Sequence, residues 1–196
     1  MENQHTSHAI YAYLDRIGNL ISAQEWVLSK RYDLQPVQLR MLYYLSVCNR
    51  YSNTPSGVTE YMQLTKGTVS QSLKVLEYKG YIEKQIDAHD RRQVHLLATE
   101  SGQEVLKQLP PNLLRTVAEE LGEAASAETV FILRRLLVAM QRDNRMQGFG
   151  VCRTCQYHQA LDERYFRCGL TGERLTNQNA GLICREHLEP HTGQRS

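Results

Sequence analysis

The sequence lacks any stretch approaching the roughly 20 apolar residues that a helical membrane span needs. Its mean hydropathy is −0.49 over 196 residues, and a spanning helix is excluded. The opening Met1-Glu2-Asn3-Gln4-His5 has neither the basic region nor the apolar core of a secretory signal, so a cytoplasmic location is expected. Charge of one sign is also lacking: 23 Lys and Arg stand against 21 Asp and Glu, a net +2. That excludes a polybasic coat but not a local basic patch, because phosphate contacts depend on where charge is focused. Internal repeats and low-complexity tracts are absent, which removes repeat architectures. No Gly-rich phosphate loop and no helical zinc-protease spacing occurs, so an enzyme has little support. What remains is ordinary globular composition, 41% hydrophobic and 22% charged, enough for one domain and a small appendage.

Residues 1–7 are polar and expected to fray. From His8 to about Lys30, Ile10, Tyr13, Leu14, Ile17, Leu20, Ile21 and Leu28 recur at helical spacing. Pro36 suits the first position of a second helix running to about Val47. Thr54-Pro55 opens a short helix ending near Met62, and after the Gln63-Leu64 turn Thr65 can cap another that reaches Lys79 and stops at Gly80. The period then changes. Residues 81–86 and 93–97 alternate as two strands joined by the charged tip Asp87-Ala88-His89-Asp90-Arg91-Arg92, a β-hairpin with a longer tip than a two-residue turn. Thr99 caps a further helix, Pro110-Pro111 interrupts it, and a restart from about Asn112 ends near Gly122. Ser126 is expected to cap a last helix, and Gly148-Phe149-Gly150 marks a boundary.

Two short helices, a tight turn and a hairpin describe a winged helix–turn–helix, whose second helix lies in the major groove of DNA. At about 100° per residue, Val69, Leu73 and Leu76 share a core stripe. Gly67, Ser70, Gln71, Lys74 and Tyr78 then point outward, with Lys66 and Thr68 at the N-terminal end. Gln71 can pair with adenine through two bonds, Ser70 and Thr68 can reach bases or phosphates, Gly67 permits close approach, and Lys66 and Lys74 suit phosphates. At the wing tip one of Arg91 and Arg92, by preference Arg92, is expected in the minor groove while the other pairs with an acid. His89 is equally readable as a phosphate contact or a bystander.

Residues 36–102 resemble the MarR family of bacterial winged-helix transcription regulators. The resemblance is carried by Thr54-Pro55-Ser56, Leu64-Thr65-Lys66-Gly67-Thr68-Val69-Ser70, Leu73 to Ile82, the wing tip and Thr99-Glu100-Ser101-Gly102, with flanking helices extending it to about residues 8–147. Ala98, where a leucine is usual, and the double proline depart from the pattern. The resemblance implies an obligate homodimer on a palindromic site, with interlocking terminal helices. The apolar stripes at 8–30 and 127–147 independently exceed what one small domain can cover. It also implies small aromatic ligands between the lobes, for which Tyr11, Tyr13, Trp26, Tyr43 and Tyr44 are candidate lining, though such aromatics are more often plain core. The expected division is a dimerisation helix over 1–35, the winged helix over 36–102, dimerisation helices over 103–147 and a cysteine-rich metal-binding segment over 148–196.

In that last segment Cys152-x2-Cys155-x12-Cys168-x15-Cys184 precedes x2-His187. With little periodicity it cannot bury much core and needs a staple. Cys-x2-Cys forms a knuckle, and a second pair completes a tetrahedron. Four-cysteine ligation is expected, with His187 in reserve; zinc is the first reading and an iron–sulfur cluster the alternative. Disulfides are disfavoured in a reducing compartment, and no βαβ unit supports a thioredoxin-like motif. Cys48 reads as an inert core residue, and His158 and His191 as solvent-facing. The whole is a mainly α, α+β chain expected to act as a dimeric DNA-binding regulator, a repressor by preference. The competing expectation is a protein–protein adaptor or redox-sensing module with little DNA affinity.

Overall fold

The computed structural model describes residues 2–88, 90–109, 111–144, 146 and 148–190. Helix α1 spans Glu2–Arg31, so the polar start continues the helix instead of fraying. Helix α2 (Pro36–Val47) begins at its proline and is the centre of the core: Leu39, Met41, Leu42 and Tyr44 are fully buried. Glu25 of α1, itself buried, accepts a bond from Arg40 of α2 at 2.7 Å and fixes the crossing of the two helices.

Local signals account for the next elements. Helix α3 (Pro55–Met62) is capped by Thr54, which accepts from Gly57 N at 3.1 Å. Its end is Gln63, held in the left-handed region at φ 53°. Helix α4 (Lys66–Tyr78) is capped by Thr65, and the chain reverses at Gly80 with φ 71°, where a side chain would be strained. Strands β1 (Ile82–Ile86) and β2 (Val94–Ala98) pair antiparallel, from Ile82 opposite Ala98 to Ile86 opposite Val94. Thr99 caps α5 (Glu100–Leu106). Ile82 and Leu96 turn inward onto α2 with Val58, Val69, Leu73 and Leu76, a single cluster that closes the winged unit.

Helix α6 runs over Pro111–Asp143 and breaks at Gly122 (φ 75°, ψ 169°), as the glycine suggests. Ser126 is not the cap of the second arm. It lies inside the helix, and its hydroxyl donates to Ala118 O at 3.1 Å, because the helix resumes directly after Gly122. The faces of α1 and α6 leave large apolar side chains in solvent, among them Tyr11, Leu20, Trp26, Val130, Phe131 and Leu137.

The carboxy-terminal segment is built of pieces too short to show a period: β3 (Gly150–Val151), a 3₁₀ turn over Cys152–Thr154, β4 (His158–Ala160), β5 (Tyr165–Cys168), β6 (Arg174–Thr176), α7 (Asn177–Ala180) and β7 (Ile183–Cys184). Strands β3 and β7 pair, and β4, β5 and β6 form a three-stranded antiparallel sheet. Cys152, Leu175 and Ala180 are its buried apolar residues. The expected boundary at 148–150 is no loose linker. Phe149 stands edge-on to Tyr61 (5.2 Å) and Tyr44 (6.1 Å), which stack on each other at 4.3 Å.

Candidate nucleic-acid interface and metal centre

Helix α4 divides as its phase dictates. Val69, Leu73 and Leu76 are buried, whereas Lys66, Gly67, Thr68, Ser70, Gln71, Lys74 and Tyr78 are exposed, Tyr78 at 92%. Thr68 Oγ1 lies 2.9 Å from Thr65 Oγ1, so its hydroxyl is shared with the helix cap. The outer face is thus an uninterrupted polar rod of amide, hydroxyl and ammonium groups, the chemistry that base edges and phosphates accept.

The wing is anchored at its root by a network the sequence did not reveal. His95 on β2 places one ring nitrogen 2.7 Å from Asn53 Oδ1 and the other 3.0 Å from Asp87 Oδ2. Asp87 Oδ1 also accepts from Asp90 N at 2.9 Å. Leu96 N donates to Asn53 O at 2.7 Å, so the α2–α3 turn runs beside the hairpin as a third strand would. Of the tip arginines, Arg92 is the one with an acid beside it, Asp90 at 3.6 Å, and it is 95% exposed. Arg91 has no ion pair among the described residues, and both arginines are exposed. His89 lies outside the described residues.

Cys152, Cys155, Cys168 and Cys184 line one cavity of about 100 Å³, with Tyr157, His158 and Glu173. Burial, together with the neighbouring sulfurs of Cys168, Cys184 and Cys155, pushes the Cys152 thiol up to about 11. Burial also raises Cys184. Four thiols lining one cavity are a donor set that a cation stabilises as thiolates. Among the described residues, no three His, Cys, Asp or Glu side chains are grouped closely enough to hold an ion as they stand. The donor types, four thiols lining one cavity, are those a soft cation prefers.

His187, the reserve ligand, lies outside that cavity: it is buried, with Nε2 3.0 Å from Thr154 Oγ1 and Nδ1 3.8 Å from Glu189. His158 is not simply solvent-facing. It is half-buried and stacked on Phe166 at 4.5 Å, and burial lowers its basicity. His191 lies outside the described residues. The five aromatics expected to line a ligand pocket do not converge, since Tyr11, Tyr13 and Trp26 are exposed and Tyr44 is fully buried. A groove between α3 and α6 is lined instead by Tyr61, Leu133, Leu137, Met146 and Phe149.

Cys48 is buried, its Sγ 3.9 Å from Leu45 O, and burial pushes its thiol up to about 12. At neutral pH almost none is thiolate, the reactive form. Native protein treated with a thiol reagent and a chelator is expected to leave Cys48 unmodified until denaturant is added; native labelling detected at Cys48 by mass spectrometry would contradict that.

The residue that sequence reasoning missed altogether is Arg185, next to Cys184. Its backbone N donates to Ser52 Oγ at 2.9 Å, its Nη1 to Ser56 Oγ at 3.0 Å and its Nη2 to Glu60 Oε1 at 2.6 Å. Asn49 N donates to Ile183 O at 2.8 Å, and Arg134 of α6 grips Glu189 through bonds of 2.7 and 2.9 Å. The cysteine segment therefore bridges α3, the first helix of the pair, and α6.

An exposed second helix, a hairpin wing and long terminal helices define a winged helix–turn–helix protein. The profile of the MarR family matches residues 32–93. The chain is similar to a mutant of MepR from a multidrug-resistant S. aureus clinical isolate, at 25% identity and a TM-score of 0.58, over 67% of this chain and 97% of that one. It is similar to Streptococcus pneumoniae FabT in complex with DNA, at 26% identity and a TM-score of 0.53, over 71% and 97%. A MarR transcriptional regulator from Methanosarcina mazei Go1, at 20% identity, a TM-score of 0.53 and coverage of 71% and 98%, shares the fold. No curated protein matches the sequence.

Proposed function

We propose that this chain is a homodimeric, sequence-specific DNA-binding repressor that reads palindromic operators and carries one metal centre held by Cys152, Cys155, Cys168 and Cys184. The observation that carries the reading is the division of α4 into a buried apolar stripe and an exposed polar face, with a rooted wing behind it. FabT, similar at 26% identity, was solved in complex with DNA. The apolar faces of α1 and α6 supply the dimer contact, since stripes of that size are otherwise left in water.

In this reading Gln71 and Ser70 read base edges, Lys66 and Lys74 hold phosphates, Thr68 and Gly67 bring the helix N-terminus close to the backbone, and Arg91 and Arg92 reach the minor groove. A zinc ion at the four sulfurs would act as a staple for a segment with few buried residues. Arg185 adjoins Cys184 and holds Ser52, Ser56 and Glu60, so any rearrangement at the sulfurs reaches α3 through one side chain.

An electrophoretic shift on a palindromic duplex, with a scrambled duplex as control, tests the reading; failure to bind at low salt would favour the adaptor. Gln71→Ala is expected to reduce discrimination at one position by about 10-fold or more, from a bidentate contact worth roughly 1–3 kcal/mol. Lys74→Ala is expected to weaken all sequences alike and to reduce the slope of log K against log salt by about 0.9. Equal losses of sequence preference in both variants would contradict these roles. Elemental analysis and the absorption spectrum of anaerobically purified protein separate zinc, colourless, from an iron–sulfur cluster, brown.

A further inference from the structure

The near-zero net charge hides a segregation in the cysteine segment. Its acids other than the exposed Glu163 are committed: Asp162 Oδ1 accepts from Arg164 N and Tyr165 N, both at 2.8 Å. Glu173 pairs with Arg50 at 3.4 Å, Glu186 with Arg185 at 3.5 Å, and Glu189 with Arg134 at 2.7 Å. Its outward arginines are not. Arg164, Arg167 and Arg174 are exposed and take part in no ion pair among the described residues.

Register sets two of these arginines side by side. In the β4–β5–β6 sheet, Gln159 pairs with Arg167, and Arg167 with Arg174. Residues opposite one another project to the same face, so Gln159, Arg167 and Arg174 form one row across three strands. The alternate residues, Phe166, Leu175 and Cys168, turn to the other face, and Leu175 and Cys168 line the sulfur cavity. Like charges directly opposite on antiparallel strands are unfavourable. No ion pair offsets them among the described residues; Arg174 instead lies over the Tyr165 ring, 3.7 Å from its centre.

The row also has a position. Glu173, which precedes Arg174 and turns to the cavity side of the sheet, pairs with Arg50, and Arg50 lines one cleft with Asp87 at the wing root. The sheet that carries the basic row on its outer face therefore adjoins the root of the wing that carries Arg91 and Arg92. From this juxtaposition we infer that the Gln159–Arg167–Arg174 face is a second DNA-backbone contact, which grips duplex phosphates flanking the operator outside each wing. The inference rests on the regulator reading and extends its footprint. Two guanidinium groups and an amide offer a duplex phosphate charge-assisted donors without base specificity.

The test uses a duplex enriched by the full-length protein from a randomised pool, prepared at two lengths: the selected half-sites alone, and the same with about one helical turn, ~10 base pairs, added at each end. The wild-type chain is expected to bind the longer duplex about 10-fold more tightly. The Arg167→Ala/Arg174→Ala double variant should lose that advantage, keep its affinity for the short duplex, and lower the salt slope on the long one by about 1.8, or 0.9 per phosphate. Arg167→Lys/Arg174→Lys should retain most of the slope. Unchanged metal content and melting temperature establish that the variants are folded. Equal wild-type binding to both lengths, or an unchanged double variant, would overturn the inference alone. Failure to enrich any sequence would sink the regulator reading and this inference with it.

Discussion

Gly57→Ala is expected to destabilise the winged unit by about 3 kcal/mol, read as a fall in the urea midpoint at constant slope. A Cβ at this site would meet Ser52 O at 2.1 Å and Tyr44 Oη at 3.2 Å, both in fully buried residues. The clash is with backbone, so no rotamer relieves it. Moving the Ser52 carbonyl would also break the bond that Tyr44 Oη donates to it at 2.9 Å, leaving a buried hydroxyl unpaired. Opposing this, alanine gains about 1 kcal/mol in helix propensity over glycine, too little to offset the clash. Gly67→Ala is the control, since its added Cβ meets only Thr65 Oγ1, at 3.9 Å. That variant should be as stable as the parent or slightly more so, yet bind DNA more weakly if the start of α4 approaches the backbone closely. A Gly57→Ala protein with an unchanged midpoint would mean that the α2–α3 turn is looser than the packing around Tyr44 implies.

Cys184→Ser carries the other large effect. Loss of a metal ligand is expected to reduce affinity by more than the roughly 10–100-fold that losing an outer-shell partner costs, so the purified variant should contain well under one metal per chain. Because metal binding and folding of such a segment are one free energy, limited proteolysis should then cleave within residues 150–190 while residues 36–102 stay protected. Chelation of the wild-type protein should give the same fragment pattern, and restored metal should reverse it. A Cys184→Ser chain with full metal content would exclude Cys184 as a ligand.

How much of this was legible in the sequence follows from how far each signal travels. The caps at Thr54, Thr65 and Thr99, the proline starts of α2 and α3 and the turn at Gly80 are local, and each appears where its chemistry puts it. The stripe of Val69, Leu73 and Leu76 was readable because period and burial coincide. Ser126 misled because a capping residue near a break looks the same whether the helix restarts at it or before it. The strands of the cysteine segment, two to four residues each, are too short for alternation to register. Arg185 was invisible for another reason: its partners Ser52, Ser56 and Glu60 lie 133, 129 and 125 positions away, and an arginine beside a glutamate reads as surface charge. His95 between Asn53 and Asp87 was hidden in the same way. Within the cysteine cluster, spacing brought the four sulfurs to one cavity and left His187 to Thr154.

Phe149 makes the two halves of the chain poor candidates for exchange. The aromatic plug belongs by position to the cysteine segment and by packing to the helical body, where Tyr44 and Tyr61 hold it. A transplant of the segment onto a foreign scaffold would carry a stranded ring with it unless the recipient offered a matching tyrosine slot. A helical body trimmed just short of that ring would keep the exposed face of α4 and acquire a greasy notch, an open invitation to self-association.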